Sequence, residues 1–169
     1  MDVRLRPTGP GDLAFVTTLE RNPENRPLIG QWSDTEHLDA VARRDGREHW
    51  IIERGGLPAG YLIAFDGRVH HAGIYVKRIL VGDKERGVGT AAMRGFLDDA
   101  FARPAVDFVW LNVRHVNLRA QAVYRKLGFA PYEPSEELAA LWDKLVDPIG
   151  PDVFRMRLAA SVWRKSRAR

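Results

Sequence analysis

Cysteine is absent from this 169-residue chain. Its absence excludes a disulfide framework, a thiolate nucleophile and a zinc site built on cysteine. Long apolar runs are also missing, none approaching the roughly 18 residues that cross a bilayer. Met1 to Arg6 alternates charge and apolarity and has no hydrophobic core of an export signal. The sequence therefore reads as cytoplasmic and without a membrane partner. Nor does the body of the chain carry an excess of one charge. Lys and Arg number 26 against 22 Asp and Glu, and Arg164, Lys165, Arg167 and Arg169 supply that whole difference of four. Such a tail, 161–169, is expected to be solvated and frayed, not the basic face of a nucleic-acid binder.

What is present points to one α/β domain over residues 1–160. A hydrophobic fraction of 45% over this length is enough for a single core without staples. Val3–Arg6 alternates as a strand and ends at Pro7 and the Gly9-Pro10-Gly11 turn. Asp12 is placed to cap a helix carrying Leu13, Val16 and Leu19, closed by Asn22-Pro23. Glu24 to Trp32 reads as a loop, and Ser33 with Glu36 as a capping box opening a second helix. The runs 49–54 and 61–65 form a hairpin through Gly55-Gly56-Leu57-Pro58, and a strand follows over 73–81. A helix over 88–101, a strand over 108–111, a helix between Asn117 and Gly128, a variable stretch and a last strand over 153–158 complete the chain. The order β-α-α-β-β-β-α-β-α-β implies a mixed central sheet flanked by helices, with a right-handed crossover in the second half.

Two stretches carry chemistry. In Arg86-Gly87-Val88-Gly89-Thr90-Ala91 a glycine turn leads into a helix, so backbone N–H groups and the positive helix end can meet an anion. Arg86 adds charge and Thr90 a hydroxyl. No lysine followed by Ser or Thr makes a triphosphate loop here, and no three-glycine dinucleotide fingerprint is present. The plainer reading is that Gly87 and Gly89 only tighten a turn. Downstream, Asn117 and Tyr124 are seven residues apart, on one helical face with the small Ala120 between them. A helix cap and a core tyrosine would give the same letters.

Arg86, Gly89 and Ala91 after Arg78-Ile79-Leu80-Val81, and then Asn-x-x-Ala-x-x-x-Tyr-x-x-x-Gly-Phe over 117–129, resemble the two signatures of the GNAT superfamily. The resemblance spans essentially Val3 to Leu158. It implies a GNAT-like acyltransferase with acetyl-CoA as co-substrate and no metal, moving an acetyl group directly to a primary amine. On that resemblance the backbone of Ile79, Leu80 and Val81 pairs with the pantetheine arm, and Arg86 to Ala91 hold the pyrophosphate. Asn117 and Ala120 line the arm, and Tyr124 protonates the departing thiolate. A homodimer through an exposed final strand is a further implication.

The pattern departs at the base. Relatives often carry a carboxylate where this chain has Tyr75 and Asn112, leaving His70, His71, Asp34, Glu36, His37 or water to deprotonate the amine. Pro27 to Ser33 resembles the loop of a branch akin to the ribosomal-protein alanine N-acetyltransferases, which places Trp32 and Glu36 on the acceptor side with Tyr75 and Asn112. The acceptor is then a protein N-terminus or a small-molecule amine. The missing carboxylates keep a non-catalytic acyl-CoA-binding module as the alternative.

Overall fold

The computed structural model describes residues 1–169 except Glu85, Asp147 and Pro148 and the side chain of Val69. Its strands are β1 (Val3–Pro7), β2 (Arg47–Arg54), β3 (Leu57–Asp66), β4 (Ile74–Val81), β5 (Phe108–Arg114), β6 (Ala130–Pro131) and β7 (Val153–Ala159). Its helices are α1 (Leu13–Arg21), α2 (Asp34–Val41), α3 (Val88–Ala102), α4 (Leu118–Lys126), α5 (Glu136–Leu145) and α6 (Ala160–Arg167). The strands form a mixed sheet in the order β1-β2-β3-β4-β5-β7-β6. This is the α/β class expected from the sequence, with β6, α5 and α6 added. Two compact units make up the chain, Met1–Phe65 with Val76–Asp98, and Asp66–Tyr75 with Asp99–Arg169.

In the first unit β1, β2 and β3 form an antiparallel meander. Ile51 packs with Val16, Tyr61, Ile63 and Leu80, while its neighbour Ile52 packs with Val88 and Ala92 of α3. Helices thus cover both faces, which is why β2 and β3 read as continuous apolar runs. The hairpin needs only two residues. Gly55 (φ 57°) and Gly56 (φ 79°) sit in the left-handed region, and Leu57 and Pro58 join β3 beside a bulge at Ile52/Glu53. Asp12 departs from expectation. Its carboxylate accepts the Gly9 N–H at 2.8 Å and two bonds from Arg6 at 2.7 and 2.9 Å, so it staples β1 to the turn and does not cap α1.

The second unit is built on antiparallel β5 and β7, with β6 on the far side of β7. Tyr75 stacks on Trp110 (centroids 4.2 Å apart) and Trp110 on Trp142 of α5 (3.8 Å). Each such pair adds about 0.5–1.5 kcal/mol beyond area burial. The variable stretch is therefore α5, capped by Ser135 and plugging the core with Trp142. The expected frayed tail is α6 as far as Arg167, anchored by the buried Trp163 against Phe101 while its arginines and lysine face outward. The expected homodimer presupposed an exposed final strand, but β7 lies between β5 and β6.

Candidate active site

The glycine turn follows β4, whose last three residues are Ile79, Leu80 and Val81. Gly87 has φ 74°, a conformation that strains any side chain, so the turn itself demands this glycine. Gly89 is different. Its φ is not positive, and an added Cβ would meet only the Val81 methyls at 3.9 Å, an ordinary contact. Neither backbone nor packing calls for glycine there, although glycine costs a helix about 1 kcal/mol relative to alanine. The first helical bond within the turn runs from the Ala91 N–H to the Gly87 carbonyl at 3.0 Å. The N–H groups of Val88, Gly89 and Thr90 therefore have no acceptor within the helix. Arg86 is exposed and salt-bridged to Asp83 at 3.0 Å. Donors, a cation and an unobstructed approach fit a pyrophosphate.

In the second unit Asn117 caps α4, its Oδ1 accepting the Ala120 N–H at 3.2 Å. The cap reading is therefore correct, and the side-chain oxygen is spent on it. Gly128 (φ 100°) closes α4, with its N–H on the Arg125 carbonyl and the Phe129 N–H on the Tyr124 carbonyl, both at 3.0 Å. This is a Schellman cap, and Phe129 packs on Tyr124 across it at 5.8 Å between centroids. The Gly-Phe pair thus fixes the Tyr124 ring. Tyr124 is 7% exposed, and among the described residues its hydroxyl has no hydrogen-bond partner. Burial, with a contribution from Tyr75, raises its pKa above the ordinary value, so the hydroxyl keeps its proton.

Tyr75 and Asn112 are brought together, the amide Nδ2 donating to the phenol oxygen at 3.3 Å. Asn112 Oδ1 is buried without a partner among the described residues. Neither is a base. His70 and His71 lie exposed in the turn before β4, Asp34 is exposed, and Glu36 is held in the capping box (Ser33 N–H to Oε2, 2.7 Å).

His37 is fully buried, which removes it as an accessible base. It belongs to a cluster in the first unit that the sequence reading did not single out. Glu20 Oε2 receives Arg78 Nη1 at 2.6 Å and the Tyr61 hydroxyl at 2.9 Å, and stands 3.0 Å from His37 Nε2. Its Oε1 accepts the Trp32 N–H at 2.6 Å. From His37 the chain continues to His49 (3.1 Å) and Thr8 (2.8 Å). Burial drives the His49 pKa down to about 3, helped by its neighbours His37 and Arg78. Burial alone would raise the Glu20 pKa, but His37, Arg78 and the Trp32 N–H hold it below its ordinary value. The available signal was Glu20 itself, one helical turn after the buried Val16 on the apolar stripe of α1. Trp32 is half-buried, with Lys77 Nζ 5.5 Å and Arg78 Cζ 5.9 Å from its ring.

Comparison with known proteins agrees with this reading of the elements. The model of the acetyltransferase (GNAT) family matches residues 15–129. No curated protein matches the sequence. A spermidine N-acetyltransferase from Vibrio cholerae, solved with CoA and spermine, has TM-score 0.74 at 18% identity, covering 96% of this chain and 98% of that one. The aminoglycoside acetyltransferase AAC(6')-Ib with coenzyme A and kanamycin has TM-score 0.78 at 18% identity, over 98% of this chain and 99% of that one. At that identity the likeness is one of fold, while the family model spans more than half of the sequence. The chain belongs to the GNAT family of acetyltransferases.

Proposed function

We propose that the protein transfers the acetyl group of acetyl-CoA to a primary amine by direct attack. The observation that carries this is Gly89, a glycine required by neither φ nor packing at the start of α3, where a side chain would only obstruct approach to the helix N–H groups. Arg86 to Ala91 would hold the pyrophosphate, Ile79 to Val81 the pantetheine through their backbone, and Asn117 and Ala120 would lie along it. Acetyl-CoA supplies a thioester whose carbonyl carbon the amine attacks, forming the amide bond as the C–S bond breaks. Tyr124 would give the leaving sulfur its proton, a role suited to a hydroxyl held protonated and uncommitted. With no carboxylate at Tyr75 or Asn112, the amine would enter as free base, and the N–H proton it sheds on forming the amide would return to the Tyr124 oxygen, directly or through water. Trp32, Glu36, Tyr75 and Asn112 are the proposed acceptor-side residues, with Glu36 acting through the cap of α2 that follows Trp32.

Three acceptors are suggested. The structural neighbours act on spermidine and on aminoglycosides, and the Pro27–Ser33 loop resembles the branch that modifies N-terminal alanine. The absent carboxylates favour one second reading, a module that binds acyl-CoA without turnover. Calorimetric titration of acetyl-CoA into wild type and into Gly89→Trp, followed by turnover on spermidine, kanamycin and an alanyl peptide, tests both. Saturable binding lost in the folded variant is the expected result. Absence of binding to wild type would overturn the proposal, and binding without transfer to any amine would favour the module.

A further inference from the structure

The Glu20 cluster joins five parts of the first unit at one buried carboxylate. Glu20 comes from α1, Trp32 from the end of the loop before α2, His37 from α2, Tyr61 from β3 and Arg78 from β4. Glu20 is 2% exposed and Arg78 6%. Four donors on one carboxylate are more than neutralising Arg78 requires. A buried ion pair that served only charge balance would do as well without a bond to a loop amide. Yet Oε1 accepts the Trp32 backbone N–H at 2.6 Å, as short as the Arg78 bond to Oε2. That N–H ends a loop of turns between Asn22 and Gly30, and Trp32 immediately precedes the Ser33–Glu36 capping box. Gly30 lies over the same guanidinium, an added Cβ falling 3.4 Å from Arg78 Nη2. Loop, cap and indole are thus registered to the strands through a single side chain.

We propose that Glu20 is the positioning residue of the acceptor side: its carboxylate fixes the loop and the Trp32 indole where the amine is received. This rests on the assignment of Trp32 to the acceptor side. The proton inventory agrees with a fixed, directional network. One donor order serves every contact: the Thr8 hydroxyl to His49 Nδ1, His49 Nε2–H to His37 Nδ1, and His37 Nε2–H to Glu20. Every buried polar atom of that chain is then satisfied, with Arg78 on the same carboxylate.

Replacing Glu20 alone would leave Arg78 as an unpaired buried cation and could unfold the protein. Two double variants avoid this. Glu20→Leu with Arg78→Met removes the acceptor of the Trp32 N–H, whereas Glu20→Gln with Arg78→Met keeps a carbonyl oxygen for it; both remove the same charges. Exchange of the Trp32 amide by NMR, acetyl-CoA affinity by calorimetry and acetylation of spermidine, kanamycin and an alanyl peptide are measured in all three proteins. In the leucine variant the amide is expected to exchange about 10–100-fold faster, while the glutamine variant stays near wild type. The KM for the amine turned over rises about tenfold at unchanged kcat in the leucine variant only, with acetyl-CoA affinity unchanged within about twofold. Equal exchange in the two variants would reduce Glu20 to charge balance and overturn the proposal. An unchanged KM with a released amide would overturn its acceptor-side part. Failure of wild type to bind acetyl-CoA, or to acetylate any of the three amines, would fall on the proposed function instead. The exchange comparison would still decide whether Glu20 holds the loop.

Discussion

Tyr124 shows how far a single side chain can be read. Its ring is set by a helix cap, its hydroxyl is unbonded among the described residues, and burial keeps that hydroxyl protonated. If it protonates the leaving sulfur, Tyr124→Phe should lower kcat about 10²–10⁴-fold while leaving acetyl-CoA affinity nearly unchanged. Steady-state kinetics with calorimetry would check this, and a variant with undiminished kcat would remove Tyr124 from the chemistry. At this scale the sequence was uneven. Asn117, Tyr124 and the glycines were legible because helical spacing and turn chemistry are local. Glu20, His49 and Arg78 were not, because they lie 58 residues apart at the extremes and meet only once the strands have paired.

Among elements, α3 offers an internal control. Gly95, like Gly89, has no atom that an added Cβ would strike, but it lies exposed in mid-helix, away from the turn. Gly95→Ala should raise stability by about 0.5–1 kcal/mol with acetyl-CoA binding unchanged. Gly89→Ala should leave the fold equally intact yet weaken acetyl-CoA binding. Denaturant titration alongside calorimetry separates the two, and equal affinities in both variants would contradict a ligand role for Gly89. The order of elements was readable up to α4 because caps and glycine breaks punctuate it. Past Gly128 only the last strand, β7, was read, and β6, α5 and α6 were missed. α5 begins at a serine cap just after Pro134, its Trp142 the main sign of burial, and α6 continues directly from β7 without a break residue.

At the scale of the whole molecule, the buried histidine makes stability depend on acid. The folded-state pKa of His49 is depressed to about 3, whereas the unfolded chain takes up that proton near 6.5. Its contribution is therefore complete above pH 6.5 and lost as pH falls toward 3. The loss amounts to roughly 3–5 kcal/mol, with Glu20 acting in the same direction at the acid end. Urea unfolding at pH 7.5, 6, 5 and 4 should show this decline, and a flat profile would mean that His49 takes up its proton as readily in the fold as in the unfolded chain. At the alkaline end the signs reverse. Tyr61 and Tyr124 have raised pKa values through burial, so their contribution is present below about pH 10 and disappears as pH rises beyond it.

The two ends of the sheet differ in what they would allow a neighbouring molecule to do. At one end β6 is two residues long and includes Pro131, which has no N–H to offer. At the other, β1 shields the backbone of β2, and the Arg6 guanidinium ties it down to Asp12 and Glu53. Clipping those first seven residues would uncover a strand with apolar side chains on both faces. A processing protease, or a badly placed affinity-tag junction, would thereby turn a self-limiting sheet into a template for stacking copies.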